Sequence, residues 1–502
     1  MNKKFKPYLI LIIILGTILR LFNFSQRPFD GDEGIIIKLV QGNWSDLFPQ
    51  VANDIHPPLY HILVKASTSF GINEWTVRVS SVILGIVAIY LVYIFTRKLF
   101  NNKIALMSSF LVAISPYFIY PSGEARMYAL FLVFSLLSFY FFYKLLKKIS
   151  TKDIIWLVVF SSLMLYTHYL GFVIIGGQIL YLIFRRDQYK HIKSWLISYI
   201  FILVLFVPQL PTMMAQFQAR VSEQSQAISL FANLKGIIGA FYRFGAGRLF
   251  LDINPEGIKN LASNNIWLFI LFLISICVPF GIFAYGKTKL FFSDRKKFWF
   301  IFTPIAVAVI LALVSSEVGS RASRYLIYIY PFYIMIIGYA ISLFWKKWWG
   351  KILTIVFILI SLSGIFVHFN RDIGSPGADQ IAEFISENIG KDETVLVRGG
   401  FGGGESWILE YYLQKSPISN FPSDSADGQF PIVDMFSDYE PGNLDKLKAI
   451  KPEDKINELL EKYNKVYFYD MTYETDNIPN AKKHILGYDK ENKKIIIWEI
   501  ER

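Results

Sequence analysis

The sequence predicts a polytopic α-helical membrane protein of about eleven transmembrane helices, with a small extracytoplasmic α/β domain at its C-terminal end. The first observation behind this is composition. Of 502 residues, 54% are hydrophobic, 17% aromatic and only 18% charged, against about 25% charged in a soluble domain. The second is a series of apolar runs, each close to the length that a bilayer core requires. The third is the placement of charge. A net charge of +12 would suit nucleic acid if it formed one basic face, but 16 Lys/Arg and 25 Asp/Glu follow residue 370, while 35 bases and 14 acids precede it. Those early bases cluster in short loops between apolar runs, as cytoplasmic anchors do. Nucleic acid is excluded as a partner, and membrane lipids are the implied surroundings. The lone Cys277 lies inside an apolar run and rules out an internal disulfide.

In chain order, Lys3, Lys4 and Lys6 precede a first run at 8–24. No small-residue cleavage site follows, so the run reads as an uncleaved signal anchor with a cytoplasmic N-terminus. Arg20, near its outer end, either snorkels to the headgroups or contacts a phosphate. The outer loop 25–76 comes next. Pro57 and Pro58 extend the chain before them and suit the first turn of a helix. After them Leu59, Ile62, Leu63 and Ala66 share one helical face, with His61 and Lys65 on the other, which predicts a short amphipathic helix in the membrane interface. Residues 33–40 suit a second one. Further runs lie near 77–95, 104–120, 128–143, 154–167, 170–184, 195–210, 266–285, 298–315, 325–344 and 352–369. The loops 97–103, 144–152, 185–193, 287–297 and 346–351 are basic, and all fall on the side expected to be cytoplasmic. An odd number of spans then leaves the acidic tail outside. The long outer loop 211–265, with Gly236-Ile237-Ile238-Gly239-Ala240-Phe241-Tyr242-Arg243-Phe244, supplies either a mobile lid or an interfacial helix.

The chain divides into residues 1–370 and a separate domain at 371–502. In the latter, 378–389 is helical with Ile381, Phe384 and Ile385 on one face. Residues 393–398, 465–470 and 494–499 read as strands, and 406–414 and 456–463 as helices. An α/β sandwich follows. The run Gly399-Gly400-Phe401-Gly402-Gly403-Gly404 lacks the spacing of a dinucleotide fingerprint, so a turn or a carbohydrate or acceptor contact is the better reading.

The chemistry concentrates in the first outer loop. Phe29-Asp30-Gly31-Asp32-Glu33-Gly34 and Asn53-Asp54-Ile55-His56-Pro57-Pro58-Leu59-Tyr60 hold four acids and a histidine beside a membrane surface. Ionisable groups there are costly and usually functional. Asp30 and Asp32 also suit a turn that caps a helix at Ile35. The recurrence of Asp54 and His56 before a double proline favours an active site. Other outer-side groups join them: Glu124-Ala125-Arg126-Met127-Tyr128, Thr167-His168-Tyr169, and Arg321, Arg324 and Tyr325. A carboxylate, Asp32 or Asp54, can take a hydroxyl proton on one face of a sugar while an arginine, Arg324, Arg126 or Arg20, steadies a departing phosphate on the other. Asp54 and His56 also offer two ligands to a divalent cation, too few to assign one.

In their order and sidedness, the Asp-Glu after the first run, Asp-x-His-Pro-Pro-Leu-Tyr, Glu-Ala-Arg-Met-Tyr, Thr-His-Tyr and the late Arg-Tyr resemble the C-type membrane glycosyltransferases. The similarity covers roughly residues 1–370 and is nearest to the protein O-mannosyltransferase-like group, with relatives that modify lipid A with aminoarabinose. The resemblance implies a polyprenyl-phosphate-linked sugar as donor, an extracytoplasmic acceptor (protein, lipid or cell-envelope glycan), and inversion at the anomeric carbon. It implies Asp32, with Glu33 beside it, and Asp54 as catalytic acids, and His56, Arg126, His168, Arg324 and Tyr325 as substrate-binding residues. Asp30 is an extra acid, and which aspartate faces the acceptor stays open. The aminoarabinose branch has Lys where His56 stands, so no metal is carried over from it. Two other classes are weighed against this reading. A transporter or flippase of lipid-linked sugars should show paired halves with broken helices at the midplane, and the sequence has no such repeat. A non-catalytic envelope scaffold requires the acids to be caps alone.

Overall fold

The computed structural model describes residues 3–22, 24–52, 54–223, 229–250, 255–315, 318–319, 322–370, 378–389, 393–398, 408–409, 411–412, 432–434, 452–470, 478, 480–488 and 494–501. Its membrane part opens with α1 (Lys6–Leu21). The first outer loop then folds into three short helices, α2 (Gly31–Val40), α3 (Trp44–Ala52) and α4 (Leu59–Ser67). There follow α5 (Glu74–Leu99), α6 (Asn102–Ala113), α7 (Pro116–Ser122), α8 (Tyr128–Lys147), α9 (Thr151–Leu165), α10 (Gly171–Ile183), α11 (Ile192–Phe206) and α12 (Leu210–Glu223). The second half holds α13 (Leu230–Ala246), α14 (Pro255–Asn264), α15 (Ile266–Ser293), α16 (Arg295–Val314), the single turn α17 (Ala322–Tyr325), α18 (Tyr330–Phe344) and α19 (Trp348–Asn370).

All eleven apolar runs are helical, but they are not all of spanning length. Among the described residues seven helices are long and apolar enough to cross a membrane, or eight if α6 and α7, bent by 63° at their junction, count as one. The first, fifth and sixth runs form helices of 16, 15 and 13 residues, about 20–24 Å at 1.5 Å per residue against a hydrocarbon core of about 30 Å. Helix length therefore does not establish the count of eleven. The chain is nevertheless a multi-pass membrane protein by its helices and its fold. Leu196, Ile200 and Phe201 on α11 and Ile355, Leu359 and Phe366 on α19 stay exposed, as side chains facing lipid do.

At the bend, Ser115 caps α7 by accepting from Phe118 N at 3.3 Å, and Pro116 takes the first helical position, where no N–H is needed. The carbonyls freed at the end of α6 need donors, since lipid offers none. Arg20 supplies them. Buried to 1% exposure, it donates to Ala113 O and Val112 O at 3.2 Å each, to Gly16 O at 3.1 Å and to Ser122 Oγ at 3.3 Å. It neither snorkels nor reaches the candidate site; it fastens α1 to the broken span.

The C-terminal domain is a five-stranded sheet of order β2-β1-β3-β5-β4, from β1 (Glu393–Arg398), β2 (Ile432–Asp434), β3 (Lys465–Asp470), β4 (Lys482–Tyr488) and β5 (Lys494–Glu501). β1 runs parallel to β2 and β3, and β5 is antiparallel to β3 and β4. The alternation of side chains gives two apolar faces. Val395, Val397, Tyr467, Tyr469, Ile495 and Ile497 pack with Ile381 and Ile385 of α20 (Ala378–Asn388). Leu396, Val466, Phe468, Trp498 and Ile500 pack with Ile456 and Leu459 of α21 (Pro452–Leu460). The expected sandwich is present; β2 and β4 are strands that sequence patterning missed. Residues 399–404, and most of the expected helix at 406–414, lie outside the described residues. The domain meets the first outer loop through two tyrosines. The Tyr411 ring lies 5.2 Å edge-on to Phe29, and the Tyr412 hydroxyl donates to Glu74 Oε1 at 3.2 Å.

Candidate active site

The first turn of α2 separates its acids by direction. Asp30 is the N-cap: its carboxylate accepts from Glu33 N at 2.9 Å, and Glu33 Oε2 accepts from Asp30 N at 3.1 Å, a reciprocal capping box. Burial and the neighbouring Glu33 and Asp32 push the Asp30 carboxyl above its usual range. Glu33 points inward and is fully buried. It accepts from Arg78 Nε at 2.7 Å and Nη2 at 2.5 Å, from Ala125 N at 2.8 Å, and from Arg27 Nη2 at 3.3 Å. Arg78 spends its other hydrogens on Phe24 O, Arg27 O and Pro28 O, and its guanidinium lies 4.7 Å over the Phe29 ring. Burial alone would raise the Glu33 carboxyl, but Arg78 and Arg27 outweigh it and hold the group at about 2.

Asp32 leaves the same turn toward open space. Its side chain is 30% exposed. The carboxylate is paired with Arg324 Nη1, and Arg126 Nε lies 4.0 Å from the same oxygen, Oδ2. Arg126 also donates to Asp32 O at 3.3 Å, and its Nη2 lies 3.5 Å from His56 Nε2. The His56 ring is 5.2 Å from that of His168, which is 5.6 Å from Tyr325. Asp32, Arg324, Arg126, His56, His168 and Tyr325 are thus one contiguous group, although they come from five stretches of sequence. Arg321 lies outside the described residues.

Asp54 belongs to the edge of this group. His61 Nε2 lies 3.2 Å from its Oδ2. Burial would raise the Asp54 carboxyl, but His61 against it and the neighbouring His56 hold it below the usual carboxylate range. This corrects the reading of α4 as an amphipathic interface helix with His61 and Lys65 on its wet face. Both are buried. Lys65 Nζ donates to Val40 O and Gly42 O at 2.6 Å each, the carbonyls ending α2. A cation there also suits the helix dipole. The polar face of α4 is therefore the one that binds the rest of the loop.

Two cavities are lined by members of this group. The larger, about 500 Å³, has His56, His168 and Tyr325 at one end and Phe172, Phe217 and Leu311 along it. Gln216 of α12 reaches over this end and donates to Val51 O at 3.1 Å. The smaller, about 50 Å³, is lined by Glu124, Arg243, Arg248 and Arg324. Arg243 comes from α13, which turns out to be a packed helix: Ile237, Ala240, Tyr242 and Phe244 are buried, while Phe231 and Ile238 face out. Among the described residues no three His, Cys, Asp or Glu side chains converge as a metal site would need. Sequence reasoning did not single out Arg27, Arg78, Arg248 or Gln216. For Arg78 the signal was available, because a cation at the start of a buried span asks for a partner.

The comparisons with known proteins bear on the fold. Residues 55–211 match the family model described as dolichyl-phosphate-mannose-protein mannosyltransferase. No curated protein matches the sequence. Among solved structures, ArnT from Cupriavidus metallidurans in the apo state superposes with a TM-score of 0.61 at 12% identity, over 98% of both chains. ArnT bound to undecaprenyl phosphate gives 0.60 at 12% identity over the same shares. The Archaeoglobus fulgidus oligosaccharyltransferase in the apo form gives 0.59 at 12% identity, over 93% of this chain and 70% of that one. The resemblance read from the sequence therefore holds: the chain carries the fold of the C-type membrane glycosyltransferases and, within residues 55–211, the sequence pattern of their mannosyltransferase branch.

Proposed function

We propose that this chain is an integral membrane glycosyltransferase that moves a sugar from a polyprenyl-phosphate donor to an extracytoplasmic acceptor, with inversion. One observation carries the reading: Asp32 keeps 30% of its side chain exposed and sits between Arg324, which lines the smaller cavity, and Arg126, which touches His56 of the larger one. The larger cavity suits the donor, with an apolar wall for the polyprenyl chain and His56 and Arg126 near its polar end. The solved relatives support a lipid donor, since ArnT is bound to undecaprenyl phosphate in one structure and the archaeal oligosaccharyltransferase to a dolichol-phosphate in another.

In the reaction, Asp32 takes the proton of the acceptor hydroxyl as its oxygen attacks the anomeric carbon. The bond from that carbon to the phosphate oxygen breaks, and both bonding electrons leave with the phosphate. Arg126 and His56 meet the charge that grows there, as preorganised donors do. Arg324 and Arg126 hold the Asp32 carboxylate in place between them. Glu33 and Asp54 act through others, Glu33 by fixing the turn that aims Asp32 and Asp54 by orienting His61. The site and the C-terminal domain are assigned to the extracytoplasmic side.

The test is the pool of lipid-linked sugars. Cells lacking this chain should accumulate one polyprenyl-phosphate sugar, and a plasmid copy with Asp32→Asn should fail to clear it. An unchanged pool, or clearance by the Asp32→Asn copy, overturns the proposal.

A further inference from the structure

Glu124 is the least satisfied charged residue in the described structure. It follows α7 directly, is fully buried, and neither carboxyl oxygen has a hydrogen-bond partner. A buried, unpaired polar group costs several kcal/mol in a medium that cannot hydrogen-bond, so native proteins rarely keep one without a use. Glu124 opens onto the small cavity, together with Arg243, Arg248 and Arg324. Two of these arginines are engaged, Arg324 with Asp32 and Arg243 with the Ser323 hydroxyl. Arg248 lies 4.3 Å over the Tyr120 ring and makes no hydrogen bond or ion pair among the described residues. A carboxyl and a guanidinium thus share a small cavity without meeting each other.

Size decides what belongs between them. About 50 Å³ holds a few waters, each needing about 10–15 Å³ on this measure, but not a sugar ring. A single oxyanion group fits. Such a group asks for hydrogen-bond donors on every side, and three guanidinium groups supply them. Glu124 suits an anion as well, because burial and the charge of Asp30 push its carboxyl up to about 8, so at neutral pH it is a neutral O–H donor.

We propose that this cavity is an oxyanion site for the acceptor: the group that receives the sugar carries a phosphate ester or a carboxylate, which seats between Glu124 and Arg248. The inference rests on the donor occupying the larger cavity, whose volume of about 500 Å³ has room for a lipid chain where about 50 Å³ does not. It deepens the functional reading by setting a substrate class. A neutral peptide hydroxyl has nothing to place against three guanidinium groups, whereas an acidic glycan or a phosphorylated lipid headgroup does.

The probe is inorganic phosphate, titrated by calorimetry into the purified full-length chain in detergent, with glucose as the uncharged control and acetate as the carboxylate. Phosphate should bind and glucose should not, and acetate binding more tightly than phosphate would name the carboxylate as the group. Arg248→Ala should weaken binding at least about tenfold, the loss of one charge-assisted contact. His56→Ala, in the other cavity, should not, and saturating undecaprenyl phosphate should leave the site open to phosphate. Glu124→Gln, which keeps a neutral donor, should bind like the parent, while Glu124→Leu should not. Loss of binding in His56→Ala but not in Arg248→Ala would place the anion at the donor site and overturn the inference while leaving the functional reading intact. Equal binding by the parent, Arg248→Ala and Glu124→Leu would overturn it too. If undecaprenyl phosphate itself does not bind, the functional reading fails on its own.

Discussion

Glu33 and Asp32 leave one helical turn in opposite directions, and the regions they enter are built on different terms. Below α2, Glu33 meets Arg78, Arg27 and two backbone N–H groups, and the Glu33 and Arg78 side chains are closed to solvent. Above it, Asp32 meets two arginines but keeps 30% of its side chain exposed, and one of those arginines, Arg324, lines the smaller cavity. Both carboxylates are paired with arginine, so charge pairing does not distinguish them. Satisfaction does. The lower pair has every donor and acceptor used and has room for nothing more. In the upper group Arg324 keeps 40% of its side chain exposed, and the buried Arg126 Nε has no hydrogen-bond partner among the described residues. A closed pair fixes geometry, while an open one is available for chemistry.

The comparison breaks if the two carboxylates can exchange roles. Asp32→Asn keeps shape and removes the basic oxygen, so turnover should fall about 10²–10⁴-fold with thermal stability nearly unchanged. Glu33→Gln should do the reverse, lowering stability by about 3–5 kcal/mol, because Arg78 is then buried without its counter-charge. The check is sugar transfer and denaturation measured on the same preparations. An Asp32→Asn protein that transfers normally would return Asp32 to the role of a turn residue.

Next in size is the partner. Arg78→Ala leaves Glu33 as a buried, half-paired anion, and should cost a similar 3–5 kcal/mol. Replacing both members by Gln and Met should cost less than the sum of the single losses, since the pair is one unit. Additive losses in denaturant titrations would show that Glu33 and Arg78 contribute separately and that the lock is misdescribed.

Acid sharpens the same contrast. The Glu33 carboxyl is held at about 2 against an ordinary 4.5. A group depressed in the folded state contributes stability above its unfolded pKa and loses it as pH falls through the folded one. Roughly 3 kcal/mol should therefore be present above pH 4.5 and drain away toward pH 2. In detergent, the parent should lose stability over that window, and Glu33→Gln should show a flatter profile. A parallel slope in the mutant would assign the acid lability to other carboxylates.

How much of this was readable from the chain depends on how far apart the partners lie. The helical membrane character follows from local hydropathy, and the special status of the first loop follows from acids beside a membrane. The Asp30–Glu33 capping box is also local, three residues apart, and an Asp-x-x-Glu before an apolar run announces it. Arg78 lies 45 residues from Glu33 and Arg324 lies 292 from Asp32, so no window of sequence contains either pair. His61 and Lys65 show the opposite failure. Their helical face was read correctly and its environment was inverted, because periodicity reports which residues share a face and not what covers it. Here the cover is the end of α2 and Asp54, elements of the same small loop.

The smallest effect is the one that tests the division of labour among the acids most directly. Asp30 sits two residues before Asp32, carries the same carboxylate and is pushed toward the neutral form rather than away from it. Its side chain accepts from Glu33 N and lines neither cavity. Removing an N-cap acceptor costs about 0.5–2 kcal/mol, so Asp30→Ala should lower stability by that amount and Asp30→Ser, which keeps a capping oxygen, by less. Transfer by either variant should stay within about threefold of the parent, well short of the loss that a general base implies. The discriminating case is Asp30→Ser. If it recovers the stability lost in Asp30→Ala but leaves turnover depressed tenfold or more, Asp30 shares the chemistry with Asp32, and the first turn of α2 presents two working carboxylates rather than one.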